Sequence, residues 1–100
     1  MTEQQHNVLA CAVETFGADA QLNVAIEELS ELIKELCKYK RGEGKEIHIA
    51  EEMADVKIIL EELEIIFRNG EAVSICEQFK IDRLRERIAE NELRGDHQSA

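Results

Sequence analysis

Apolar residues recur every three or four positions through four successive segments of this chain, and no proline interrupts them. Such a repeat places side chains on one face of an α-helix, and an internal proline would end or kink that helix. Glycines, alone or in an Asn-Gly pair, separate neighbouring segments. The pattern therefore predicts four helices, over about residues 4–16, 20–41, 47–68 and 72–93.

The second and third helices carry the most regular apolar stripes. On the second helix the stripe consists of Leu22, Ile26, Leu29, Ile33 and Leu36. On the third it consists of Ile49, Met53, Val56, Leu60, Leu63 and Phe67. We expect both stripes to be packing seams between helices.

The length of the chain limits how much core it can build. One hundred residues suit one domain, with a core over about residues 5–90 and a frayed polar tail at residues 94–100. Only four residues are aromatic, so the core must be mostly Leu, Ile, Val and Ala. A domain this short buries a modest core and often gains stability from a second copy. We predict an all-α fold, a short bundle of about four helices completed by dimerisation.

The net charge of −10 argues against nucleic acid or an anionic membrane as the main partner, because both need a basic surface. A phosphate ligand can still bind where a divalent metal ion lies between it and the acids. The three cysteines lack zinc-site spacing, so we expect reduced, partly buried thiols. No segment resembles a signal peptide or a membrane span, which predicts a cytoplasmic protein.

Four carboxylates have unusual positions beside the apolar stripes. Each of the two central helices carries two acids three residues apart, in line with apolar positions: Glu28, Glu31, Glu52 and Asp55. Packing the helices together would bring these like charges close, where they repel one another. A divalent cation would offset this repulsion, and oxygen ligands without Cys or His suit Mg²⁺, with Mn²⁺ as a substitute.

Other interpretations stay open from the residues alone. Acid pairs three residues apart are common in Glu-rich helices, and we interpret Glu61, Glu62 and Glu64 as solvated surface. If the four acids are also surface charge, the chain is a non-catalytic helical dimerisation or regulatory module. A di-iron bundle has weaker support, because neither Glu28 nor Glu52 is followed by His three residues later.

Two short motifs contain these acids. Residues 27–31 read EELSE, an EExxE pattern, and residues 52–55 read EMAD, an ExxD pattern, with 20 residues between them. Together with AIEELSELIKELCKYKRG, IAEEMADVKIILEELEIIF and the later KIDRLRERI, they make roughly residues 5–90 resemble the MazG-like all-α nucleoside triphosphate pyrophosphohydrolases. Relatives in that family include dimeric dUTPases, dCTP pyrophosphatases and phosphoribosyl-ATP pyrophosphatase.

The resemblance implies a reaction, a cofactor and a partner. It implies Mg²⁺-dependent cleavage of a (d)NTP to a (d)NMP and pyrophosphate, with phosphoribosyl-ATP as the runner-up substrate. The implied metal ligands are Glu28, Glu31, Glu52 and Asp55. The implied catalytic carboxylates are Glu27, which orients or deprotonates the attacking water, and Glu28. Members are typically homodimers or dimers of dimers.

Cations are also needed for the departing phosphates. Lys34 projects from the second helix, and Lys80 and Arg83 share a basic face on the last helix, where Arg suits bidentate phosphate contact. Two roles fit Lys80 and Arg83 equally well: they reach the site across a dimer, or they pair with surface acids. Lys34 is also placed to pair with Glu31. Gln21 precedes the first motif and either faces the base or sugar or satisfies a helix N-terminus.

Overall fold

A computed structural model describes residues 1–95 and contains four helices and no strand within that range. The helices are α1 (Glu3–Phe16), α2 (Ala18–Lys40), α3 (Glu46–Phe67) and α4 (Gly70–Leu93). The predicted all-α architecture is confirmed, and each helix boundary lies within two residues of its predicted position. Residues 94 and 95 form a turn, and the remainder of the predicted tail lies outside the described residues.

The chain divides into two compact units, one ending at Arg68 and the other beginning at Asn69. The first unit contains α1, α2 and α3, and within it α2 and α3 form the most extensive helix pair, with α1 packed mainly on α3. The second unit contains α4, which buries none of its residues. No helix in residues 1–95 is long and apolar enough to cross a membrane.

Local sequence signals set the helix boundaries. Thr2 caps α1: its hydroxyl accepts a hydrogen bond from the Gln5 amide at 3.1 Å, and the Gln5 side chain accepts one from the Thr2 amide at 2.9 Å. This reciprocal capping box satisfies two otherwise free donors. Gly17 then separates α1 from α2 with φ 91°, a backbone conformation that glycine adopts without strain.

A five-residue connection turns α2 back onto α3, so that the two helices form an antiparallel hairpin. Gly44 lies so close to the end of α2 that an added Cβ would be 2.9 Å from the Tyr39 backbone nitrogen. A side chain at this position would force the connection away from the helix. The tight connection therefore fixes which residues of α2 and α3 face each other.

Polar residues recur every seven positions on the faces that α2 and α3 turn toward each other. We call the resulting cross-hairpin pairs the polar rungs. The first rung is Gln21 with Glu62, the second is Glu28 with Asp55, and the third is Glu35 with His48. Apolar residues separate the rungs, among them the buried Ala25, Val56 and Ile59.

The long apolar stripes lie mostly outside this packed face. Ile26 and Ile33 of α2 are 68% and 62% exposed, and Met53, Leu60 and Phe67 of α3 are also exposed. Each stripe follows the packed face by one residue, which rotates it by about 100° around its helix. The prediction that both stripes pack between helices is therefore wrong within the chain for these five residues, and also for Leu29 and Leu36, which are exposed.

The two exposed stripes form one surface. Because α2 and α3 are antiparallel, a rotation of one residue on each helix turns both stripes toward the same side of the hairpin. We call this surface, made of Ile26, Ile33, Met53, Leu60 and Phe67, the apolar flank. Ile58, which lines a small cavity with Val8 and Leu9 of α1, lies roughly opposite on the α3 wheel. Helix α1 thus packs away from the apolar flank.

The buried hydrophobic core is small and aliphatic, as predicted. It consists of Leu9, Ala25, Val56 and Ile59. All three cysteines are free and exposed, so the prediction that they are partly buried is wrong.

Candidate metal centre

The second polar rung and the residue beside it form a cluster of carboxylates. Glu28, Glu52 and Asp55 each place one oxygen so that all three oxygens lie within 4.8 Å of one another. Glu28 and Glu52 are half-buried, and Asp55 is exposed. The two helices produce the cluster because Glu52 and Asp55 are three residues apart on α3, and Glu28 faces them from α2.

This crowding favours the protonated forms of the acids. Partial burial, a hydrogen bond with Asp55 and the charges of Asp55, Glu52 and Glu27 raise the pKa of Glu28 above 4.5. Partial burial raises the pKa of Glu52 in the same direction, helped mainly by the charges of Asp55 and Glu31. An acid whose charged form is this poorly compensated is a good candidate for a ligand of a cation.

The carboxylates present fit a hard divalent cation. Glu52 Oε2 is shielded from solvent and has no hydrogen-bond partner among the described residues. A buried acceptor without a donor is costly, and a cation would satisfy it. The possible metal ligands in the cluster are all carboxylate oxygens, which are the ligands that Mg²⁺ and Mn²⁺ prefer.

The other predicted carboxylates lie next to the cluster. Glu31 is half-buried and close enough for its charge to raise the pKa of Glu52, but it lies outside the three-oxygen cluster. Its role as a ligand stays a prediction. Glu27 is exposed, and its backbone carbonyl accepts a hydrogen bond from the Ser30 hydroxyl at 2.7 Å. Its side chain is thus accessible to solvent beside Glu28.

The predicted substrate-binding residues have different surroundings. Lys34 is exposed on α2, and Lys80 and Arg83 are exposed on α4 in the second unit. Gln21 is buried, and its side-chain nitrogen donates a hydrogen bond of 2.7 Å to Glu62 Oε1. The Gln21 amide is therefore already engaged inside the hairpin, and its contact with a base or sugar stays a prediction.

Sequence reasoning misplaced several acids of α3. Glu62, interpreted above as solvated surface, is only 5% exposed, while Glu61 and Glu64 are half-buried. Burial raises the pKa of Glu62, and the hydrogen bond from Gln21 partly opposes that rise.

The seven-residue spacing would have revealed the complete polar face. Positions 21, 28 and 35 of α2 and positions 48, 55 and 62 of α3 are all polar. In an antiparallel hairpin, two series with equal spacing meet pair by pair. Glu35 and His48 were missed as a pair because each looks ordinary when its own helix is considered alone.

No protein-family model matches the chain, and no curated protein or solved structure matches it either.

Proposed function

We propose that this chain is a Mg²⁺-dependent nucleoside triphosphate pyrophosphohydrolase of the MazG-like kind. The observation that supports the proposal best is the meeting of Glu28 from the EExxE motif with Glu52 and Asp55 from the ExxD motif, their oxygens within 4.8 Å. Two motifs that are far apart in sequence thus contribute carboxylates to one cluster that could bind a cation. A solvated acidic surface would not leave Glu52 Oε2 shielded from solvent without a donor among residues 1–95.

In the proposed reaction, water attacks the α-phosphorus of a (d)NTP. The bond from that phosphorus to the oxygen bridging to the β-phosphate breaks, and the products are a (d)NMP and pyrophosphate. Glu28, Glu52 and Asp55, with Glu31 beside them, would hold Mg²⁺, which when bound would supply charge neutralisation and an activated water.

The chain itself must also accept the proton of the attacking water. Glu27 is exposed beside the cluster, and its carboxylate is free to take this proton as a general base. Glu28 is a second possible acceptor when it is ionised, but its raised pKa reflects a charge that the cluster disfavours. We therefore assign the proton to Glu27 first.

Cationic side chains would bind the departing phosphates. Lys34 follows Glu31 by three residues on α2 and is exposed. Lys80 and Arg83 are exposed on α4 and share one face of that helix. We assign all three to phosphate binding as part of the proposal.

Pyrophosphate release from a panel of NTPs, dNTPs and phosphoribosyl-ATP, with Mg²⁺ and with EDTA, tests the reaction. Release that requires Mg²⁺ supports the proposal, and the panel ranks the substrates. No release from any compound would overturn it in favour of a non-catalytic helical module. Mn²⁺ in place of Mg²⁺ is expected to support turnover as well.

A second copy of the chain is the proposed partner. The apolar flank exposes five large hydrophobic residues on one side of the hairpin, while only four hydrophobic residues are buried in the described core. Large exposed apolar patches mark association surfaces. Pairing two copies through this flank would add the core that one chain lacks, in a homodimer or a dimer of dimers.

The substitution Ile33→Glu tests the interface, with Asn23→Glu as a matched control on an exposed position of the same helix. Sedimentation equilibrium should give wild type and control a mass of at least twice the 11.4 kDa of one chain, and Ile33→Glu a smaller mass. A monomeric wild type would overturn the homo-oligomer, and an unchanged mass for Ile33→Glu would exclude the apolar flank as its interface.

A further inference from the structure

The third polar rung contains one buried acceptor without a hydrogen-bond partner among the described residues. Glu35 is 8% exposed, and its Oε1 is shielded from solvent without a hydrogen-bond partner among the described residues. The other oxygen, Oε2, is 3.5 Å from the ammonium of Lys38. A buried carboxylate oxygen without a donor is costly, so Oε1 is the atom of this rung that a cation would satisfy.

An imidazole lies next to the unsatisfied oxygen. His48 Nδ1 is 4.0 Å from Glu35 Oε1, which is too long for a hydrogen bond. A protonated His48 would give Glu35 a charged neighbour, but at this distance Oε1 would still lack a donor. Two ligands that share a metal ion at about 2.0–2.2 Å from each are at most about 4.4 Å apart, so a small movement of the ring would bring both atoms to ligand distance. Half of the His48 side chain is exposed, so the ring has room to move toward the shared ion.

A candidate third ligand lies on the same face of α3, although its oxygens are not within 4.8 Å of both Glu35 and His48. Glu52 follows His48 by four residues, so the two side chains are neighbours one turn apart. Glu52 Oε2 is also a shielded oxygen without a partner in residues 1–95, and the charge of Glu35 is felt at Glu52. Glu52 thus lies between the carboxylate cluster of the second rung and the Glu35–His48 pair of the third.

We propose that Glu35, His48 and Glu52 form a second divalent-cation site, with Glu52 shared between this site and the Glu28–Asp55 cluster. The nitrogen ligand sets its chemistry apart. Imidazole favours Co²⁺ or Zn²⁺ over Mg²⁺, whereas a carboxylate-only cluster suits Mg²⁺ or Mn²⁺. The hairpin therefore holds two adjacent sites of different selectivity. This assignment uses the same Glu52 as the proposed hydrolase centre but does not depend on hydrolysis.

Cobalt binding to the full-length, metal-free chain tests the proposal. Equilibrium dialysis measures the number of Co²⁺ ions per chain, and NMR of the histidine rings reports paramagnetic broadening of His48. The variants are His48→Ala and Glu35→Gln for the second site and Asp55→Asn for the first. His6→Ala and His97→Ala serve as matched histidine controls, and circular dichroism verifies the helix content of each variant.

Wild type and both controls should bind two Co²⁺ ions per chain, with the His48 ring signals broadened. His48→Ala and Glu35→Gln should each bind one ion fewer, while Asp55→Asn should keep the His48 broadening. Unchanged stoichiometry in His48→Ala, or unbroadened His48 signals in wild type, would overturn the second site. Failure of the nucleotide assay together with the loss of one bound ion in His48→Ala would reject the hydrolase and leave this site standing.

Discussion

The first and second polar rungs both join α2 to α3 across the hairpin, but they differ in whether their carboxylates have a hydrogen-bond donor. In the first, the Gln21 amide donates a 2.7 Å hydrogen bond to buried Glu62. In the second, Glu28 faces Asp55 with Glu52 beside them, so carboxylates oppose carboxylates. Two rungs are two helical turns apart, about 10 Å along the axis.

The difference teaches how one backbone arrangement can produce both a structural contact and a candidate binding site. The first rung is closed, because a neutral donor satisfies the carboxylate and nothing external is needed. The second rung has no donor from the described residues for Glu52 Oε2 and therefore favours a cation. A single substitution in either rung should change whether its carboxylate has a hydrogen-bond donor.

The largest effect is expected on catalysis. Glu52→Gln removes the negative charge of a proposed Mg²⁺ ligand in the second rung. We expect pyrophosphate release to fall by at least about 100-fold, or about 2.7 kcal/mol of transition-state stabilisation. Steady-state rates with saturating Mg²⁺ measure it. Glu51→Gln, the same change at an exposed neighbour, should stay close to wild type. Equal rates for wild type and Glu52→Gln would show that the second rung is not catalytic.

The next largest effect comes from giving the first rung the chemistry of the second. Gln21→Glu places a second carboxylate against buried Glu62 and removes its donor. We expect the chain to lose about 3 kcal/mol of unfolding free energy at neutral pH, measured by urea denaturation. Mg²⁺ should not restore this loss at concentrations that saturate the second rung. An unchanged free energy of unfolding for Gln21→Glu would mean that the burial of Glu62 does not depend on the hydrogen bond from Gln21.

The reverse conversion closes the second rung. Glu28→Gln gives Asp55 an amide partner in place of a carboxylate, so the metal-free protein should become more stable as repulsion is removed. At a Mg²⁺ concentration of about 100 times Kd, wild type should gain about 2.7 kcal/mol from binding, and the variant should gain much less. Thermal midpoints with and without Mg²⁺ measure both effects. A variant that keeps the full Mg²⁺ gain would remove Glu28 from the ligand set.

The sequence predicted the helices and the second rung but not the full polar face. Glu28 and Glu52 were detected because each lies in line with apolar neighbours on its own helix. Glu62 was misplaced because its partner, Gln21, is 41 residues away, and their pairing depends on the register set by the connection after α2.

The burial of the apolar stripes was predicted wrongly for a different reason. Their periodicity shows which face of a helix favours burial but does not identify the surface that buries it. Ile33 remains 62% exposed, and the proposed cover, a second copy, is not encoded in the pattern of one helix. The helices thus follow from local signals, whereas the rungs and the flank depend on register and association.

The smallest expected effect is a pH dependence of the first rung. The folded-state pKa of Glu62 is raised above 4.5 by burial, so the folded state binds more protons than the unfolded state between the two values. Stability linked to Glu62 is therefore complete below pH 4.5 and declines as pH rises through the folded-state pKa. Glu62→Gln keeps an amide contact for Gln21 and cannot titrate, so its unfolding free energy should fall less steeply over this window. Urea denaturation in EDTA between about pH 4 and 8 measures the two slopes, and equal slopes would mean that the Gln21 bond fully compensates the burial of Glu62.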